Sequence, residues 1–459
     1  MPKYLLIDFG STFTKLTAVD SVSGDILGTA SHFTTVTEDI RIGYRAALSE
    51  LREKIGEAAF DRIDACSSAA GGLKMAAIGL VEEMTSEAAK RVCLGAGAKV
   101  DLVFSHHLTK RDAEAIREGK IDIILLAGGT DGGNTETVLY NARFLGETGI
   151  RVPVIFAGNR SARDEVADLF AAYGMEGYLC DNVMPKINQL NVGDARNRIR
   201  DIFLKKIIAA KGIKMVEDEI DEIVQPTPEA VLRACELLSK GYLAESGLGD
   251  LAAVDLGGAT TDLYSICEST KRADVIVGGL EEPFAKRTVE GDLGLRWSAS
   301  GALKGLSKED LERIRREKGF DLEEEVKKRH ADVTMIPSSD KEKEIDDLIA
   351  QICVNRAMGR HCGRMEEIFT PLGMMHHQTG KDLRDVGSVV GIGGPILHAK
   401  DPKAILLQTT NLAHDPTELR PEHPRFLLDR DYILSAMGLL ARHDPELALR
   451  ILKKHLVTL

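Results

Sequence analysis

The stretch VDLGGATTDL, residues 254–263, decides the fold because it occurs twice: set against IDFGSTFTKL, residues 7–16, it aligns without a gap. Asp8 falls on Asp255, Gly10 on Gly257, Thr14 on Thr261 and Leu16 on Leu263. In each copy an apolar strand delivers an aspartate, a glycine lets the chain turn tightly, small hydroxyl residues follow, and a second strand leaves. The pattern predicts a β-hairpin with a tip of phosphate size. Backbone N–H groups and hydroxyls at such a tip meet phosphate oxygens. The aspartate at its root suits Mg2+, usually through water, because that ion keeps much of its hydration shell while bridging carboxylate and phosphate. Two such hairpins facing each other across a cleft would grip a triphosphate from both sides. Lys15 offers the first a cation, whereas Asp262 holds the equivalent place in the second, so the copies are not redundant.

One copy alone is explained equally by a tight turn with glycine for geometry and aspartate as a local hydrogen-bonder. A third element shifts the balance. In VVGIGGPILHA, residues 389–399, an apolar strand precedes Gly391, Gly393 and Gly394. A flat base or ribose can lie against such bare backbone, and Pro395 fixes the exit.

The rest of the chain fits this frame. At 459 residues it is long enough for about two to four domains, and its 44% apolar and 28% charged content is that of a globular protein. A net charge of −12 counts against a nucleic-acid groove. The N-terminal MPKYLLIDFG reads as a strand, not a secretion signal. Apolar runs such as IDIILLAG fall far below the roughly 20 residues that span a bilayer, so a cytoplasmic location is expected. The seven cysteines (Cys66, Cys93, Cys180, Cys235, Cys267, Cys353, Cys362) form no C-x-x-C pair, as expected of reduced thiols and not of a zinc site or disulfide frame.

Strand and helix patterns alternate through most of the sequence, which predicts α/β architecture with largely parallel sheets. From about 85 to 200 the rhythm is strictly βα and predicts a doubly wound sheet of its own. A helical stretch follows, its clearest element TPEAVLRACELLSKG, with Thr227 able to cap it, Pro228 suited to its first turn and Gly241 to its end. From about 302 to 385 the chain reads as charged and mainly helical.

The order IDFGSTFTK, VDLGGATTD, GIGGP resembles the actin-like ATPase superfamily of sugar kinases, heat-shock chaperones and actin. More narrowly, LAGGTDGGN, SSAAGGLKMAAIG, TVEGDLGLRWSA and the second hairpin together look like the MutL accessory family of glutamate (methylaspartate) mutase, over most of the chain. The resemblance implies two ribonuclease H-like lobes around a nucleotide cleft. It places hairpin 1 in a first lobe at 1–84, an inserted Rossmann-like βα domain at 85–200, and a helix then hairpin 2 of the second lobe at 201–301. A helical insertion at 302–385 and the adenosine loop with C-terminal helices at 386–459 complete it. Carried over by motif, Asp8, Gly10, Ser11, Thr12 and Lys15 form the first phosphate loop, and Asp255, Gly257, Gly258 and Thr260 the second. Asp8 and Asp255 are then the metal-holding and catalytic carboxylates, and Gly391, Gly393 and Gly394 the adenosine loop. Gly278 and Gly279 resemble the glycine pair that the chaperone branch places near the nucleotide. No residue matches the water-activating acid or glutamine of active relatives.

The function so implied is an ATP- and Mg2+-dependent reactivating chaperone for an adenosylcobalamin-dependent mutase, with a small-molecule kinase or hydantoinase-like enzyme, or a nucleotide-gated scaffold, as alternatives. No D-x-H-x-x-G cobalamin-ligand motif occurs, and oligomeric state stays open. LAGGTDGGN, residues 126–134, lacks an aspartate at its strand root and precedes a helix, so it stands outside the hairpin set. At the carboxyl end of a strand in the βα insertion it is expected to form a second functional surface, with Asp131 and Asn134 at its tip. The histidine pairs 106–107 and 376–377 are expected to diverge rather than share a metal. Cys362 reads as a surface-loop thiol, and SSAAGGLKMAAIG as a strand turning into a helix.

Overall fold

The computed structural model describes residues 2–10, 12–35, 39–68, 73–93, 96–210, 219–268, 275–370, 373–412 and 415–459. The chain divides into two compact units, Met1–Ala230 and Val231–Leu459.

In the first unit β1 (Lys3–Phe9), β2 (Phe13–Asp20) and β3 (Asp25–Phe33) form an antiparallel meander. Helix α1 (Ile40–Ile55), started by the Asp39 carboxylate accepting from Arg41 N, leads to β4 (Arg62–Ser67), parallel to β1. The chain then leaves this sheet. β5 (Leu73–Gly79), α2 (Glu82–Cys93), β6 (Ala98–Ser105), α3 (Lys110–Glu118), β7 (Ile123–Leu126), α4 (Glu136–Glu147), β8 (Val154–Phe156), α5 (Arg163–Ala172) and β9 (Gly177–Leu179) make an all-parallel sheet in the order β6-β5-β7-β8-β9. Helix α6 (Gly193–Ala210) follows, and β10 (Glu222–Pro226) rejoins the first sheet beside β4. The completed order is β10-β4-β1-β2-β3.

Helix α7 (Thr227–Lys240) and the short pair β11 (Gly241–Tyr242) and β12 (Glu245–Ser246) carry the chain into the second unit. There β13 (Leu251–Leu256) and β14 (Thr261–Ile266) form a hairpin, β15 (Val275–Gly278) departs, and β16 (Ala285–Glu290) pairs with β14. Helices α8 (Lys308–Lys318), α9 (Leu322–Ala331) and α10 (Asp340–His361) come next, then β17 (Arg364–Thr370) and β18 (Gly373–Thr379), which join β15 in a separate sheet. β19 (Ser388–Ile392) lies parallel to β13, followed by α11 (Gly394–Leu397), α12 (Pro402–Leu407), β20 (Arg425–Asp429), α13 (Leu434–Leu440), α14 (Pro445–His455) and β21 (Leu456–Thr458). The main sheet runs β16-β14-β13-β19-β20-β21.

Both main sheets thus repeat one plan: an antiparallel meander of three strands, with the first strand flanked on its other side by two parallel ones. This duplicated strand plan is the one expected of two ribonuclease H-like lobes. β1 and β13 are buried on both faces: Leu5, Ile7 and Phe9 lie on one face of β1 with Tyr4 and Leu6 on the other, and Val254 and Leu256 on one face of β13 with Leu251 and Ala253 on the other. Each such side chain contributes about 1.5–3 kcal/mol.

Three local readings change. LKMAAIG, within SSAAGGLKMAAIG, is strand β5, and the helix begins only at Glu82. RMEEIFT is strand β17 instead of a continuation of α10, because Cys362 takes an extended conformation at the helix end. Cys362 itself is buried, and burial pushes its thiol up to about 11, so it is no surface-loop thiol. Among the described residues no helix is long and apolar enough to cross a membrane.

Candidate phosphate-binding hairpins

Hairpin 1 turns between β1 and β2. Gly10 N donates to Phe13 O at 3.1 Å and closes the tip, and a Cβ on Gly10 would lie 2.5 Å from that oxygen, so only glycine fits without a shift. Ser11 lies outside the described residues; Thr12 is exposed and accepts from Thr34 N at 2.8 Å. Asp8 stands at the root, directly opposite Lys15 on β2.

The register extends this pair into a row. Asp8 is level with Cys66 on β4, and Cys66 with Gln225 on β10, so Lys15, Asp8, Cys66 and Gln225 share one face across four strands. Thr227 Oγ1 donates to Asp8 Oδ1 at 2.6 Å, and the Cys66 thiol donates to the same oxygen at 3.6 Å. Burial, and then the Asp8 carboxylate, push the Cys66 thiol well above its ordinary range, so it stays a neutral donor. Gln225 is 1% exposed, and its Nε2 has no hydrogen-bond partner among the described residues. A buried amide N–H without a partner is uncommon in a folded chain. Thr227 is correspondingly not the side-chain cap of α7: its hydroxyl is directed at a carboxylate 219 positions earlier in the chain.

Hairpin 2 repeats the geometry with different neighbours. Gly257 N donates to Thr260 O at 2.9 Å, and Asp255 stands opposite Asp262. Like charges facing each other across a ladder repel, and here one is neutralised. Arg287 on β16 donates to Asp262 Oδ1 from Nε at 2.9 Å and Nη2 at 2.5 Å, with Thr260 Oγ1 donating to Oδ2 at 3.2 Å. The TVEGDLGLRWSA segment packs against this tip: Leu295 N donates to Gly257 O at 3.1 Å and Arg296 N to Gly258 O at 2.8 Å.

The glycine loop lies beside the same root. Gly391 is level with Val254 and Ile392 with Asp255. Gly393 has φ +99°, and a Cβ there would lie 2.1 Å from Leu256 O, so the loop passes directly over the base of hairpin 2. A Cβ on Gly394 would meet the Tyr432 hydroxyl at 3.3 Å. Tyr432 is held in a left-handed conformation next to Asp429, whose carboxylate accepts from Ile433 N and Leu434 N at 3.0 Å. Asp255, Gly257, Gly258, Thr260, Gly391, Gly393 and Gly394 are therefore neighbours within one unit. Gly278 ends β15 in the separate sheet and Gly279 follows it, with His377 filling the space over Gly278.

The LAGGTDGGN loop is built differently. Buried Asn159 accepts from Gly132 N at 3.1 Å and donates to Gly133 O and Asn134 O, while Asn182 donates to Gly129 O and to Asp131 Oδ1. Arg160 N also donates to Asp131 at 2.9 Å, and Asn134 accepts from Thr137 N at the start of α4. Asp131 and Asn134 thus brace a rigid loop at the carboxyl edge of the inserted sheet.

Sequence reading did not find Cys66, Thr227, Gln225, Asp262 as an ion-paired residue, Arg287, or Tyr432. Each is brought to the site by strand pairing or a long-range hydrogen bond, and only the QPTP segment, a polar residue between a strand and a helix, carried a local signal.

A family model described as MutL protein matches residues 4–456 of the chain. Protein MutL of Clostridium tetanomorphum is 48% identical over 460 residues, covering 100% of both chains. Among solved structures, the ethanolamine utilization protein EutJ from Carboxydothermus hydrogenoformans aligns over 98% of this chain and 90% of its own, at 12% identity and TM-score 0.30. A glycerol dehydratase reactivase aligns over 96% and 99%, at 11% identity and TM-score 0.36.

Proposed function

The chain belongs to the MutL protein family, and on that premise we propose that it is an ATP-dependent accessory protein, a reactivating chaperone for an adenosylcobalamin-dependent carbon-skeleton mutase or aminomutase in the cytoplasm. The observation that carries the nucleotide half of this reading is the repeated register, Asp8 opposite Lys15 and Asp255 opposite Asp262, at the roots of two glycine turns.

The residues present suit the group. Asp8 and Asp255 are carboxylates at the ends of buried strands, the hard oxygen donors that Mg2+ takes through its water shell. When bound, Mg2+ neutralises phosphate charge. Lys15 adds a cation on the Asp8 side, Thr12 offers a hydroxyl at the exposed tip of hairpin 1, and the Gly258–Ala259 turn of hairpin 2 offers backbone donors to phosphate oxygens. Gly391, Gly393 and Gly394 provide bare backbone for the adenosine, and Gly278 and Gly279 are assigned a flanking role by resemblance alone. Gln225, in the Asp8 row and with no partner for its Nε2 among the described residues, is the group suited to hold a water for hydrolysis.

In this reading a mutase stranded with damaged cofactor is opened for exchange by nucleotide turnover. Driving such a switch from mostly one state to mostly the other requires ATP to favour one by about 5 kcal/mol, within reach of phosphate and metal contacts. The test is ATPase activity with and without the cognate mutase carrying inactivated cobalamin. Stimulation by the loaded mutase is expected; transfer of phosphate to a small metabolite instead makes the protein a kinase. Loss of mutase stimulation alone in Asp131→Ala would assign the braced loop to the partner.

A further inference from the structure

We propose that Arg296 is a positioning residue for hairpin 2, and that its bridge through Asp346 to Arg329 makes the phosphate tip and the α8–α10 insertion one coupled element. The second half of this statement rests on the nucleotide reading above; the first half does not.

The tip of hairpin 2 is held from outside its own sheet. Two successive N–H groups, Leu295 and Arg296, donate to Gly257 O and Gly258 O. The approach is close: a Cβ on Gly294 would sit 2.8 Å from Gly258 O. What fixes this segment is the Arg296 side chain. Its Nε donates to Met335 O at 3.0 Å, Nη1 to Leu295 O at 2.9 Å, and Nη2 to Asp346 Oδ2 at 2.8 Å. The other oxygen of Asp346, on α10, accepts from Arg329 Nε of α9 at 2.5 Å. Arg329 is fully buried and also engages Glu325 and the carbonyl of Glu342.

Two arginines and two carboxylates so arranged balance in charge. Buried ion pairs of this kind add little net stability over apolar packing, but they tolerate little change of geometry. A hydrogen-bonded charge cluster with one low-energy arrangement fixes where residues 293–296 lie, and so where Gly257 and Gly258 lie. Any displacement of the tip by an arriving phosphate must then be accommodated by α9 and α10. Trp297, the only tryptophan of the chain, follows Arg296 and is 62% exposed, so its emission reports the same segment.

The test is backbone amide exchange of the full-length protein, wild type against Arg296→Met and Arg296→Lys, with ATP–Mg2+ and adenosine titrations alongside. Arg296→Met leaves Asp346 paired with Arg329, so the fold is expected to persist. Without nucleotide, exchange over 256–261 and 293–297 should rise about ten-fold in Arg296→Met, the effect of losing a charge-assisted hydrogen bond. Hairpin 1 should be unchanged, and Arg296→Lys should recover part of the protection. ATP affinity should fall about ten-fold while adenosine affinity holds, and ATP should protect 322–346 in wild type only. Unchanged exchange over 256–261, or an equal rise throughout residues 231–459, overturns the positioning role. Raised exchange confined to the tip in a protein whose wild type binds no ATP leaves the positioning role standing and removes the nucleotide reading.

Discussion

Hairpins 1 and 2 share a register and differ in every group beside it. In hairpin 1 the root carboxylate, Asp8, faces a cation, Lys15, and is hydrogen-bonded by neutral donors, Thr227 and Cys66. In hairpin 2 the root carboxylate, Asp255, faces a second carboxylate that Arg287 has already neutralised. The first therefore keeps its cation at the tip root, while the second uses its cation as internal structure and presents a net negative root. The two copies share a backbone, and what separates them is the residue facing the root aspartate on the second strand, together with the partners that the flanking strands and α7 bring to it.

The largest effect expected from this contrast is on stability. Arg287→Met would leave Asp262 buried without its guanidinium and cost about 3–5 kcal/mol, read as a lower denaturant midpoint. Lys15→Met, at the half-buried counterpart in hairpin 1, should leave that midpoint nearly unchanged and instead weaken ATP about ten-fold, with adenosine unaffected. Equal stability losses in the two variants would erase the distinction.

Next is the glycine loop of the second unit. Gly393→Ala combines a left-handed backbone with a Cβ 2.1 Å from Leu256 O, and strain of that kind costs about 1–3 kcal/mol before the clash is relieved. Its thermal midpoint should fall below that of Gly394→Ala, where the nearest obstacle is the Tyr432 hydroxyl at 3.3 Å.

Thr227→Val removes the donor to Asp8, a hydrogen bond to a charged group worth about 1.5–3 kcal/mol. Thr227→Ser should retain most of it, as measured by urea unfolding of the first unit.

The smallest effect is pH-dependent and belongs to hairpin 2. His361 is buried, with ring nitrogens 2.8 Å from Thr288 Oγ1 and 2.9 Å from Ser265 Oγ, and burial holds it well below its ordinary value of 6.5. The unfolded chain then binds the extra proton first. Stability of the second unit should fall as pH drops below 6.5, by at most about 1.4 kcal/mol per unit. His361→Gln should flatten that slope. The hairpin 1 row of Lys15, Asp8, Cys66 and Gln225 contains no histidine, so no such contribution arises there.

How far the sequence spoke can be seen at particular elements. Both hairpins, the glycine loop and the βα rhythm of the insertion were legible because each rests on local pattern: an alternation, a glycine turn, a strand followed by an amphipathic helix. β10 was not, because EIVQP is a short parallel edge strand ending in proline, with no alternation to betray it. Without β10 the partner of Cys66 and the approach of Thr227 to Asp8 were invisible. Arg287 looked like one more charge in FAKRT until pairing with β14 brought it to Asp262. The bracing of Asp131 was not legible for the same reason, since its partners Arg160 and Asn182 lie 29 and 51 positions later in the chain.

Each hairpin root is proposed to hold nucleotide phosphate, and calorimetric titration of ATP–Mg2+ into wild type, Asp8→Ala and Asp255→Ala reads that assignment. Wild type should bind, and each variant should lose about 100-fold or more, roughly 2.7 kcal/mol. Binding by either variant as tight as wild type would contradict it.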